Sequence, residues 1–171
     1  VGTFSWSSED LYNYFSSFDW RYPWDAGGQT AAICALLGSA DNFRFTKDAK
    51  ADLMQSAELF YSSLANAENG GYYERQVPNY QNLVNGAMKV LTGLDWLGHP
   101  IHYPKQLIDT TLTEFPNREG CHIVDTIYVL YRCSLQTNYR KEDIIKYTGQ
   151  IWHMILEHYN PDGGFSYFIG K

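Results

Sequence analysis

The feature of this sequence that most restricts its fold is an alternation between two kinds of helical segment. One kind is apolar on nearly every side and must be buried, whereas the other is amphipathic and can pack at the surface. The apolar segments are 25–38, 80–97 and 120–132, and the amphipathic ones are 7–18, the helix that begins at Thr46, 104–116 and 138–159. The alternation predicts an all-α chain in which inner helices alternate with outer helices.

Glycines mark the ends of these units. The glycine turns lie at Gly27-Gly28, Gly70-Gly71, Gly120 and Gly163-Gly164. Successive turns are roughly 43 to 50 residues apart, which is the length of a helical hairpin repeat. Asn or Asp before a double glycine permits left-handed backbone geometry, so an outer helix can turn sharply into the next inner one. These hairpins predict an α/α-toroid or an α-solenoid.

Length and charge set limits on the class of protein. The 171 residues predict a single domain over 1–171. A net charge of −6 without a basic cluster indicates no nucleic-acid partner. No apolar run is long enough to span a bilayer, so we expect a soluble chain without a membrane span. The start lacks an initiator Met, which suggests a fragment or a processed product, and nothing indicates the compartment.

The third apolar segment carries an unusual polar stripe. Cys121, Asp125, Tyr128 and Arg132 follow i, i+4, i+7, i+11 spacing, and His122 lies beside Asp125. The segment is otherwise so apolar that it must be buried, and a buried stripe of this kind has to be paired or face a wet cavity. The three cysteines, Cys34, Cys121 and Cys133, all lie in apolar helices and are expected to be buried, reduced thiols.

Two motifs carry a family resemblance. The turn Pro161-Asp162-Gly163-Gly164-Phe165 resembles the Gly-Gly-aromatic turns of the terpenoid-cyclase and protein-prenyltransferase superfamily. Segment 124–128 is similar to an inner-helix segment of prenyltransferase β subunits, in which an aspartate binds zinc. The resemblance implies an α/α-toroid. This chain supplies only about half of such a ring, so we expect a missing segment or a second chain to complete it.

The resemblance does not extend to the family's zinc site. Ile127 occupies the position of the zinc-binding cysteine, and the aspartate-rich motif of squalene-type cyclases is absent. A zinc site built from Cys121, His122 and Asp125 is disfavoured because neighbouring side chains on a helix point apart. The sequence therefore predicts no metal and no cofactor.

The candidate site lies where the inner helices begin. Parallel inner helices bring their N-termini to one mouth, where free N–H groups favour polar or anionic ligand groups. The candidate catalytic residues are His122, Asp125 and Tyr128, and the candidate ligand-binding residues are Trp24, Asp25, Gln29, Tyr80, Asn82, Asn85 and Arg132. Structural alternatives exist: Asp25 as a helix N-cap, Asn82 and Asn85 as helix-to-helix contacts, and His122 with Asp125 as a satisfied polar pair.

Three functions fit this pattern. The first is a toroid of the terpenoid-cyclase type that binds or converts an apolar, isoprenoid-like small molecule. The second is a carbohydrate-active toroid, either a polysaccharide lyase or a glycoside hydrolase, that acts on an oligosaccharide. The third is a non-catalytic interaction scaffold. A deep dry pocket favours the first, an open groove with Trp and Tyr favours the second, and a filled barrel favours the third.

Overall fold

The computed structural model describes residues 6–39 and 47–170 of the chain. These residues form seven α-helices and no extended strand, which confirms the predicted all-α class. The helices are α1 Ser8–Ser16, α2 Pro23–Gly38, α3 Lys47–Leu64, α4 Tyr80–Leu97, α5 Pro104–Thr111, α6 Gly120–Ser134 and α7 Lys141–Leu156. No helix among the described residues has both the length and the hydrophobicity needed to cross a bilayer.

Several helix boundaries differ from the predicted ones. Helix α2 begins at Pro23 with Tyr22 as its N-cap, so the prediction of an Asp25 cap is wrong. Proline suits the first helical position because no N–H is required there, and Asp25 lies in the first turn, where the helix dipole favours a carboxylate. Helix α5 ends at Thr111 and is shorter than predicted. The predicted helix start at Thr46 falls outside the described residues.

Helices α2 and α4 are parallel neighbours that approach very closely. A Cβ added at Gly86 would lie 2.6 Å from Pro23 Cβ, at the beginning of α2. A Cβ at Gly38, at the end of α2, would lie 2.4 Å from the carbonyl oxygen of Trp96, at the end of α4. Both positions therefore require glycine, because any larger side chain would push the two backbones apart.

Helix α6 continues this parallel arrangement on the other side of α4. Asn85 in the second turn of α4 contacts His122 at the start of α6. Near the other end, the Arg132 guanidinium lies 2.5 Å from the Asp95 carboxylate. The three apolar helices thus form one row, which we call the inner row, with all N-termini at the same end.

The amphipathic helices pack behind the inner row. Helix α1 packs on α3, α3 contacts α2 and α4, α5 packs on α4 and α6, and α7 packs on α6. Aromatic side chains fill much of the space between α1, α2 and α3; Phe15, Trp20 and Tyr61 are fully buried, and the Phe15 and Phe60 rings meet edge to face at 5.5 Å. This part of the interior is therefore a packed core.

The two Gly-Gly turns share one local structure. In the first, the N–H of Gly71 donates to Asn69 Oδ1 at 2.9 Å, and in the second, the N–H of Gly164 donates to Asp162 Oδ1 at 2.9 Å. The first glycine of each pair is left-handed, with φ of 73° and 88°. The sequence likeness between the turns is thus a structural likeness, and the predicted left-handed geometry is confirmed.

Helix α6 is less buried than the sequence predicts. Val124 is 64% exposed and Tyr131 is 56% exposed, although both belong to the segment expected to be buried all round. Together with Ile127 and Tyr128 they form an apolar stripe, the α6 stripe, beside a groove of about 290 Å³. Cys121 is also exposed, contrary to expectation, whereas Cys34 and Cys133 are buried, and all three are free thiols.

Two glycine substitutions should have opposite effects on stability. A Cβ at Gly93 would lie 2.7 Å from the Tyr61 hydroxyl, which also donates to Thr30 Oγ1 at 2.9 Å. We expect Gly93→Ala to lower the free energy of unfolding by about 1–3 kcal/mol because the buried hydroxyl must move. A Cβ at Gly149 in α7 meets nothing within 4 Å, so Gly149→Ala should raise it by about 0.5–1 kcal/mol. Urea denaturation measures both, and a neutral Gly93→Ala would contradict the packing described.

Candidate functional site

A cleft of about 250 Å³ lies at the N-terminal end of the inner row. Residues at or just before the starts of α2, α4 and α6 line it, together with one residue from the C-terminal segment. The lining residues are Tyr22, Pro23, Trp24, Asp25, Asn82, Asn85, Glu119, Cys121, His122 and Tyr167. Because three helices begin here, the positive ends of their helix dipoles meet at this end.

Three aromatic rings give the cleft its apolar surface. Tyr22 is 59% exposed, Tyr167 is 44% exposed and Trp24 is 42% exposed. The Lys89 ammonium lies 5.2 Å from the centre of the Trp24 ring, a cation–π distance. These rings are therefore accessible to a ligand, and at least one of them is held in place by a neighbour from α4.

A chain of polar contacts crosses the cleft. Gln81 Nε2 donates to Asn85 Oδ1 at 2.8 Å, and Asn85 Nδ2 lies 2.5 Å from His122 Nδ1. The other ring nitrogen of His122 lies 3.4 Å from Glu119 Oε2. The Tyr167 hydroxyl donates to the same carboxylate oxygen at 3.2 Å. The chain joins α4, the start of α6 and the C-terminal segment.

The charges in the cleft are negative. Asp25 and Glu119 are carboxylic acids, and no Lys or Arg occurs among the lining residues. Burial, with Cys121 and Glu119 nearby, raises the pKa of Tyr167 to about 12. The phenol therefore keeps its proton at neutral pH and can donate it to Glu119 in a hydrogen bond.

Asp125 lies outside the lining of this cleft. It is only 3% exposed, and burial raises its pKa to about 6 against the opposing effects of the Lys89 charge and the Trp24 side chain. Its Oδ2 atom has no hydrogen-bond partner among the described residues. The polar partners of the His122 ring are Asn85 and Glu119, so the alternative of a polar pair between His122 and Asp125 is wrong. Asp125 is instead a buried carboxyl close to Lys89 and Trp24.

The structure brings together half of the predicted site residues. Those that line the cleft are Trp24, Asp25, Asn82, Asn85 and His122. Gln29 is exposed on α2, outside the lining. Tyr128 lines the groove beside the α6 stripe.

The remaining two predicted residues make contacts elsewhere in the fold. The Tyr80 hydroxyl lies 2.9 Å from the carbonyl oxygen of Thr111 and 2.8 Å from that of Glu114, which places it among α4, α5 and the segment after α5. Arg132 pairs with Asp95 towards the C-terminal end of the row. Of the two charged residues in the polar stripe on α6, Arg132 is thus paired, whereas Asp125 has one carboxylate oxygen without a partner among the described residues.

Sequence reasoning missed two central residues. Glu119 immediately precedes α6 and is its N-cap, a position that the Gly120 turn could have indicated. Tyr167 belongs to the C-terminal segment. Its backbone carbonyl oxygen accepts a hydrogen bond from the N–H of Gly120 at 3.1 Å. No pattern in the sequence indicates that long-range contact.

Neither a metal centre nor a known relative explains the cleft. Within residues 6–39 and 47–170, no group of three or more His, Cys, Asp or Glu side chains could hold a metal ion. Comparison of the chain with protein-family models, with curated proteins and with solved structures gave no match. The chemistry of the cleft must therefore be inferred from its own residues.

The raised pKa of Asp125 predicts a pH-dependent stability. Its ordinary value is 3.8, so between pH 4 and 6 the folded chain binds a proton that the unfolded chain has released. This carboxyl therefore favours folding at low pH, and its contribution is lost as the pH rises to about 6. At ~1.4 kcal/mol per pKa unit, the loss is about 2–3 kcal/mol.

Asp125→Asn should remove this loss. The stability of Asp125→Asn minus that of the wild type should increase by about 2–3 kcal/mol between pH 4 and pH 7, because the amide carries no charge to bury. Denaturant titrations of both proteins across this range measure the difference, in which the titration of other groups cancels. A difference that is constant with pH would contradict the prediction.

Proposed function

We propose that the cleft binds a neutral, hydroxyl-rich ligand of the carbohydrate class. The observation that carries this proposal is that three exposed aromatic rings border the same open cleft as amide, imidazole and carboxylate groups. Aromatic faces offer flat apolar surface to the C–H groups of a sugar ring, while polar side chains bond its hydroxyls. This combination favours the second of the three functional hypotheses.

The polar groups of the cleft disfavour an isoprenoid ligand. An apolar chain would displace water from Asp25, Asn82 and Glu119 without replacing its hydrogen bonds, which costs free energy. A sugar can replace those bonds with its own hydroxyl groups. A cleft that combines aromatic rings with these polar groups is therefore a better match for a sugar than for a terpenoid.

The two lining carboxylates favour a neutral sugar over a uronate. A polysaccharide lyase needs positive charge near the substrate carboxylate, and Arg132, the one cation among the candidate ligand-binding residues, pairs with Asp95. Asp25 and Glu119 would instead repel an anionic ligand. Because a pair of carboxyl groups can cleave a glycosidic bond, hydrolysis is the reaction to test first.

Loss of the Trp24 ring should weaken sugar binding. We expect Trp24→Ala to reduce affinity for a neutral oligosaccharide about tenfold, which corresponds to ~1.4 kcal/mol of lost stacking. Trp152→Ala is the matched control, because Trp152 is 54% exposed on α7 and does not line the cleft. Calorimetric titration with a panel of neutral oligosaccharides measures both, and equal losses would argue against this site. A protein that binds no sugar in the panel would favour the interaction scaffold.

We also propose that the inner row is part of an α/α-toroid. Three parallel inner helices with outer helices behind them support this arrangement, and the α6 stripe is where the next inner helix of such a ring would pack. Either a further segment of the polypeptide or a second chain would supply that helix. The exposed stripe also predicts how the 171-residue chain behaves in solution.

The α6 stripe should promote self-association. We expect the 171-residue chain to form dimers or larger species in sedimentation experiments, and Val124→Lys combined with Tyr131→Lys to reduce them, because lysines disfavour apolar contact. Leu59→Lys with Val77→Lys is the control, since both residues are also more than half exposed but lie away from α6. A wild-type chain that stays monomeric at high concentration would contradict this prediction.

A further inference from the structure

The chain of hydrogen bonds that reaches His122 starts at a group that can act only as a donor. The backbone N–H of Asn117 can only donate, and it lies 3.0 Å from Gln81 Oε1. This oxygen is therefore the acceptor, which leaves the amide nitrogen of Gln81 as a donor. That nitrogen donates to Asn85 Oδ1 at 2.8 Å.

The donor and acceptor roles of Gln81 fix those of Asn85 and of the His122 imidazole in turn. Because Asn85 Oδ1 accepts from Gln81, the Nδ2 group must face His122 Nδ1, at 2.5 Å. An amide nitrogen carries two hydrogens and no available lone pair, so His122 Nδ1 must accept. Asn85 is only 4% exposed, and turning its amide over would set its Nδ2 group against the amide nitrogen of Gln81, so that two donors would face each other.

The tautomer of His122 follows from this direction. With Nδ1 accepting, the proton of the neutral ring lies on Nε2, which faces Glu119 Oε2 at 3.4 Å. One ring nitrogen is thus occupied by an amide donor and the other carries a hydrogen. Neither offers a lone pair to a proton from a ligand, whereas the Glu119 carboxylate does.

We propose that Gln81, which does not line the cleft, is a positioning residue that sets the tautomer of His122, and that Glu119 is the proton acceptor of the site. This assignment gives Glu119 the proton-accepting role in place of His122, which the sequence indicates as a candidate catalytic residue. The Tyr167 hydroxyl donates to one oxygen of the Glu119 carboxylate, and His122 Nε2 lies 3.4 Å from the same oxygen. The role of Glu119 rests on the proposed function, but the role of Gln81 does not, because it concerns the ligand-free protein.

The tautomer can be observed directly by NMR. In ¹⁵N-labelled wild-type protein at pH 8, long-range ¹H–¹⁵N correlations should show His122 with a protonated Nε2 and an unprotonated Nδ1. The spectrum of a His122→Asn variant identifies the signals. A wild-type His122 that carries its proton on Nδ1, or that exchanges between both forms with similar populations, overturns the proposal.

Gln81→Glu should reverse the tautomer. A carboxylate at this position can only accept, so the Asn85 amide turns its Nδ2 group towards it and presents Oδ1 to His122 Nδ1, which then binds the proton. The ¹⁵N signals should then show a protonated Nδ1 and an unprotonated Nε2. Gln76→Glu is the matched control, because it adds the same charge at an exposed position before α4 and should leave the spectrum of His122 unchanged.

A second variant tests the same relay from its other end. Asn85→Asp presents only acceptor oxygens to His122 and should also move the proton to Nδ1, whether or not Gln81→Glu folds. Thermal unfolding identifies folded variants. If both folded variants keep the wild-type tautomer, Gln81 and Asn85 do not set it, and the proposal fails.

The role of Glu119 has a separate test. With a neutral oligosaccharide that binds and is hydrolysed, Glu119→Gln should retain binding within a fewfold but lower kcat by at least about 100-fold, the usual contribution of a catalytic base. Unchanged kcat overturns this role. If no sugar binds while the NMR results are as expected, the proposed function fails and the assignment of Gln81 stands.

Discussion

The close approach of α2 and α4 is the constraint on which the rest of the structure depends. Two glycines, Gly86 against Pro23 and Gly38 against Trp96, allow the two helices to approach closely at both ends of α2. Because the two helices are parallel, their N-termini are brought to one end. Helix α6 then joins the row, and the cleft exists because three helices begin side by side.

The aromatic residues have two roles, one in the core behind the inner row and one in the cleft. Rings in the core, such as Trp20 and Tyr61, are fully buried and fix the outer helices. Rings at the mouth, such as Trp24 and Tyr167, stay exposed beside polar groups that are themselves ordered by hydrogen bonds. A preorganised polar group beside an exposed ring is what a hydroxyl-rich ligand needs, because little has to rearrange on binding.

Much of the fold could be predicted from the sequence because its signals are local. Helix α4 runs over 80–97 as its apolar pattern predicts, and the Gly-Gly turns have the backbone geometry that Asn69 and Asp162 indicate. The exposed α6 stripe could not be predicted from periodicity, since an apolar face looks the same in a sequence whether or not another helix covers it. The toroid remains a proposal for the same reason.

The site could be predicted only where its residues share a helix end. Trp24, Asn85 and His122 were found because parallel helices place their first turns together. Tyr167 and Gln81 were missed because their roles depend on contacts with distant parts of the chain, whereas Glu119 is the N-cap of α6 and its position could have been predicted from the Gly120 turn. Tyr128 and Arg132 fit the helical spacing of the stripe on α6, but a spacing cannot tell which neighbour each side chain meets.

The position of Cys121 allows the cleft to be labelled with a thiol-reactive reagent. Burial raises the pKa of both Cys34 and Cys133 to about 12, so these two thiols are almost never thiolates at neutral pH. Cys121 is exposed and lines the cleft. A single thiol-reactive dye or spin label would thus attach beside Glu119 in the native sequence, and its signal would report the arrival of any molecule at the cleft.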